Sequence, residues 1–132
     1  MRFTERELTE ALTGAAKSVL ASQDKAVRRG KRTADDAWEA LTRYQRWQML
    51  DGLGDQLLSV LVALPDVEVA YGERATYSDE QVTATIQGMS GDEAKGIRAS
   101  VLLKARVALV QLALSHVPPR EDPDTFVVPD HL

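Results

Sequence analysis

Apolar residues recur at intervals of three and four along most of this chain, the spacing of one helix face, and sustained two-residue alternation is scarce. Near the start, Leu8, Leu12, Ala15, Ala16, Val19 and Leu20 form such a stripe. Thr4 and Glu7 precede it with the spacing of a capping box, which predicts a helix beginning near residue 5. Gly14 lowers helix propensity there without breaking the pattern. The following segment, SQDKAVRRGKRT, either prolongs this helix as far as Arg29 or forms a connection.

Thr33 is the expected cap of a second helix, with Asp35 and Asp36 matched to the positive end of its dipole. Trp38, Leu41, Tyr44, Trp47 and Leu50 follow at helical spacing, and Leu53, Leu57, Leu61 and Leu64 continue to the stop at Pro65. Asp51, Gly52 and Gly54 mark a kink or short turn, so residues 34–64 read as one bent helix or two. Val67, Val69 and Tyr71 alternate, but no partner strands follow, and a packed extended loop is expected. Ser78 with Gln81 and Ser90 with Glu93 repeat the capping-box spacing.

The stretch 97–114, IRASVLLKARVALVQLAL, is apolar around nearly its whole circumference. A helix with that pattern needs cover on all sides, from its own chain or from a second subunit. The tail HVPPREDPDTFVVPDHL holds four of the chain's five prolines and excludes a regular helix. The pattern therefore predicts an all-α fold: a compact four- or five-helix bundle with a long central C-terminal helix and an irregular proline-rich tail. Residues 1–117 form the single helical domain, and residues 118–132 the acidic tail.

Composition sharpens this picture. With 132 residues, one domain is comfortable and two are not. Aromatic residues make up 5% of the chain, so Leu, Val and Ala must fill the core. The absence of cysteine removes disulfides, thiolate metal sites and cysteine nucleophiles. No signal-like apolar segment opens the chain, and Arg98, Lys104 and Arg106 interrupt the most apolar helix. A soluble, cytoplasmic protein without a membrane segment is expected.

Net charge is −4, divided as +1 over residues 1–60 and −5 over residues 61–132. That acidity weakens a nucleic-acid reading but leaves one local basic run, Lys25, Arg28, Arg29, Lys31 and Arg32, that is suited to phosphates. A solvated connection is the plainer explanation. Trp38, Arg43, Tyr44, Arg46 and Trp47 are candidates for a small-molecule pocket with two cations for an anion, against ordinary core packing of the aromatics. Phe126, Val127 and Val128 give the tail an apolar patch that packs on its own bundle or on a partner.

No catalytic or nucleotide-binding motif is present. The glycines of GLGD lack the Lys and Ser/Thr of a phosphate loop. His116 and His131 begin no metal motif, and His116 suits a helix C-terminus. Neither a metal nor a cofactor is expected. The first functional expectation is a non-catalytic association, scaffolding or regulatory module, self-associating as a homodimer or larger homo-oligomer. Polyanion binding through residues 25–32 comes second, and a small-molecule-binding protein or enzyme with a pocket near the aromatic helix third.

Overall fold

The structure, a computed structural model, describes residues 1–90 and 96–121. Six helices lie within them: α1 (Glu5–Gln23), α2 (Lys25–Arg28), α3 (Ala34–Ala40), α4 (Arg43–Ala63), α5 (Asp79–Ser90) and α6 (Ile97–Ser115). No strand occurs among the described residues, and no helix there is long and apolar enough to cross a membrane. The fold is an all-α helical bundle, with six helices where four or five were expected.

The added helices have local causes. Asp24 ends α1 in extended backbone (ψ 118°), and its carboxylate then accepts from Val27 N–H at 3.0 Å, starting a separate short helix. Thr42 separates α3 from α4 in the same manner. Its hydroxyl accepts from Gln45 N–H at 3.1 Å, and the Gln45 side chain accepts from Thr42 N–H at 2.9 Å. The break thus falls at Leu41–Thr42, while α4 runs unbroken through Gly52 and Gly54.

Capping boxes also form at Thr4–Glu7 and at Ser78–Gln81. Ser90 starts no helix, because it is the last residue of α5, and Glu93 lies outside the described residues. Instead α6 begins after Gly96, whose φ of 109° is a conformation that glycine adopts without a steric penalty.

The core is built from Ala11 and Ala15 of α1, Leu57, Val60, Leu61 and Leu64 of α4 and its end, Val82 and Ile86 of α5, and Val107, Val110, Ala113 and Leu114 of α6. Alanines on α1 let the larger α4 side chains approach closely. The α-amino group of Met1 donates to the carbonyls of Val62 (2.8 Å) and Leu64, which sets the start of α1 beside the end of α4. The two helices are therefore antiparallel.

Residues 65–78 cross the bundle without regular structure, tied by the Tyr77 hydroxyl to the Pro65 carbonyl at 2.7 Å. After α6, residues 116–121 run back along α1 as a strap. Arg120 exchanges backbone hydrogen bonds with Gly72 and Glu73, both 2.7 Å, and its guanidinium grips the buried carboxylate of Glu7 at 3.0 and 3.1 Å.

The final helix departs from the expected central placement. Its buried residues are Val107, Val110, Ala113 and Leu114, all in the second half. No residue from Ile97 to Arg106 is buried. The first half packs along α5 but presents Ile97 (87% exposed), Val101 (59%) and Leu102 (63%) outward.

Candidate functional site

Helical periodicity explains which side of α6 remains open. At 100° per residue, Val107, Val110, Ala113 and Leu114 fall on one face and meet the core. Ile97, Val101, Ala105, Ala108 and Leu112 recur at three- and four-residue steps on the opposite face. All are exposed except Leu112, which is half-buried. Met89, 43% exposed at the end of α5, adds to the apolar surface near the start of α6. Large at its outer end and small at Ala105 and Ala108, this face has the profile of a helix seam. Isolated exposed apolar residues need no explanation, whereas a contiguous stripe marks an interaction surface.

α5 and α6 are antiparallel, since Gln111 donates to the Tyr77 carbonyl at 2.8 Å and to the Asp79 carboxylate at 3.1 Å. Between them runs an open groove of about 720 Å³ floored by Leu103, Val107 and Ala108, with Ser100, Lys104 and Asp79 at its rim. Lys104 has no ion-pair partner among the described residues.

The aromatic candidates are not gathered into one pocket. Trp38 is buried at 6% exposure beneath α3. Tyr44 and Trp47 lie outside on α4, 65% and 57% exposed, stacked with ring centroids 6.0 Å apart. Arg46 pairs with Glu39 at 3.4 Å, and Arg43 is exposed. In the basic run Lys25, Arg28, Arg29 and Lys31 are exposed without an ion pair among the described residues, whereas Arg32 pairs with Asp24. The Arg32 hydrogen bond, then that from Val27 N–H, holds the Asp24 carboxyl below its ordinary value. Acids on α3, Asp35, Asp36 and Glu39, are also exposed, and Lys17 pairs with Asp35 at 2.9 Å. Phe126, Val127 and Val128 lie outside the described residues.

One polar constellation escaped the sequence patterns. The His116 ring lies against Gly14, where an added Cβ would meet its Cγ at 2.2 Å, and His116 Nε2 stands 3.1 Å from Ser18 Oγ. Glu10, Thr13, Lys17 and Asp35 complete a cleft of about 410 Å³. The glycine at mid-helix was the available signal, but nothing local specified its partner 102 positions away.

A serine beside an imidazole suggests nucleophilic chemistry, yet Ser18 sits within α1, where backbone N–H groups are already engaged in the helix. Within α1 these offer no oxyanion donors, and the start of α3, at Thr33, Ala34 and Asp35, borders the same cleft. The contact is a packing lock between α6 and α1. Glu7, the buried acid among the described residues, is committed to Arg120 and Thr4. Among the described residues no group of three or more His, Asp or Glu side chains could hold a metal ion. No family model matches the sequence, and comparison with curated proteins and with solved structures gives no match.

Proposed function

We propose that this chain is a non-catalytic scaffolding or regulatory module that self-associates through the outward face of α6, forming at its simplest a two-fold dimer. The observation that carries this reading is the apolar stripe Ile97–Val101–Ala105–Ala108–Leu112, a second apolar face of α6 that the described residues leave largely exposed. An antiparallel pairing fits best. It opposes the two helix dipoles and sets Arg98 of each subunit toward the carbonyl end of its partner's α6, while a parallel pairing would align the cations Arg98 and Lys104 of both copies.

The magnitudes favour a reversible dimer. Covering Ile97 and Val101 at their observed exposures recovers roughly 1–2 kcal/mol each, or roughly 4–8 kcal/mol over two copies. Association itself costs about 4–15 kcal/mol. The balance needs the further contribution of Met89, Ala105, Ala108 and Leu112, and predicts concentration-dependent assembly.

Sedimentation velocity across a wide concentration range, on the natural chain and on Val101→Glu, tests the reading. The natural chain should shift from monomer to dimer. The variant should weaken association by at least about thirtyfold, because one substitution acts twice in a two-fold interface. Its helix content should be unchanged, since Val101 touches solvent in the monomer. A natural chain that stays monomeric at high concentration, or a variant that associates as tightly, would refute it.

A further inference from the structure

The groove between α5 and α6 is a concave site within the size range of small-molecule pockets, about 300–1,000 Å³. Its chemistry is asymmetric. Leu103, Val107 and Ala108 form an apolar floor, and the Asp79–Gln111 pair closes one end with a negative charge. Toward the other end stand Ser100 and Lys104, four residues apart and therefore adjacent on one side of α6. From Lys104 to Gln111 the helix rises about 10 Å, the span of a medium-length alkyl chain.

We propose that this groove binds a medium-chain carboxylate. The carboxylate pairs with Lys104 Nζ and accepts from Ser100 Oγ, and the alkyl chain lies over Leu103, Val107 and Ala108 toward Gln111. Charge sets the direction: the anionic head is attracted at Lys104 and repelled at Asp79. A neutral alcohol lacks the first interaction. Ala108 borders both the groove and the self-association stripe, but Val101 does not line the groove, so Val101→Glu separates the two surfaces.

Octanoate and octanol are titrated into isotopically labelled protein and followed by amide chemical shifts, in the natural chain and in Val101→Glu. Octanoate should bind saturably with roughly millimolar affinity, moving the resonances of Leu103, Val107 and Ala108 in both chains. Octanol should bind about tenfold more weakly, and Lys104→Met should weaken octanoate by about tenfold while leaving octanol unchanged. Lys104 is exposed, so its replacement leaves the fold intact. Equal binding of octanoate and octanol, insensitivity to Lys104→Met, shifts clustered elsewhere such as at Tyr44 and Trp47, or no saturation would each overturn the proposal. Saturable binding in Val101→Glu upholds the groove even where self-association fails, so the two readings fall separately.

Discussion

Replacing Glu7 by alanine should destabilise the monomer more than any other single charge removal on α1. Glu7 is 5% exposed, and its carboxylate serves three donors: Thr4 N–H at 2.8 Å, Arg120 Nε at 3.0 Å and the Arg120 terminal nitrogen at 3.1 Å. Removing one member of a buried pair costs about 3–5 kcal/mol when the other stays buried. The Arg120 side chain is 25% exposed, so hydration recovers part of this and leaves about 2–3 kcal/mol. Loss of the capping box adds about 1 kcal/mol. The total, about 3–4 kcal/mol, corresponds to a fall in Tm on the order of 10 °C for a chain of this length. Urea unfolding followed by far-UV circular dichroism measures it, with Arg6→Ala as comparison. Arg6 pairs with Glu121 on the same strap, but both side chains are more than half exposed (61% and 62%), and its loss should cost under about 1 kcal/mol. Equal costs for the two substitutions would show that the strap is not anchored through Glu7. Hydrogen exchange at the Gly72 and Arg120 amides should accelerate in Glu7→Ala alone.

Gly14→Ala should destabilise by about 1–2 kcal/mol despite alanine's better helix propensity, because its Cβ would force His116 away from α1; adding His116→Ala should restore the loss, and a stabilised single variant would contradict the close approach. Tyr77→Phe should cost about 1 kcal/mol at neutral pH through loss of the hydrogen bond to Pro65. Burial, then the Asp66 carboxylate, raises the Tyr77 pKa above 10.0, so its contribution is complete below that value and is lost as pH climbs through the folded value; the phenylalanine variant should lack this alkaline loss in pH-dependent unfolding. Arg32→Ala should return the Asp24 carboxyl toward 3.8, read by an NMR titration, whereas the natural pair keeps its contribution above 3.8 and loses it as pH falls through the lower folded value.

The helical class and most helix starts were legible because caps are local chemistry: Thr4, Thr33 and Ser78 act as their spacing predicts. Thr42 and Gln45 carry the same signature, but the longer apolar stripe of Trp38 to Leu64 hid it. Gly52 and Gly54 drew attention as a break, yet a glycine only weakens a helix, and a cap is what ends one. The excess apolarity of residues 97–114 predicted a central helix, whereas Ile97, Val101 and Leu102 in its first half are exposed. Which half is uncovered depends on where α4 and α1 pack, and no periodicity within α6 encodes that. The Glu7–Arg120 and Gly14–His116 contacts, across 113 and 102 positions, were invisible for the same reason.

The most direct test of the α6 interface uses the chain's lack of cysteine, which lets single introduced thiols report their own neighbours. Ala105→Cys and a Thr9→Cys control, exposed on α1, are each oxidised mildly. Disulfides form only where Cα atoms come within about 7 Å. An antiparallel two-fold overlap of the α6 stripe sets Ala105 beside its own copy, so it predicts efficient cross-linking of Ala105→Cys alone, with Thr9→Cys remaining monomeric. Cross-linking of Ala105→Cys no greater than that of the control would contradict it.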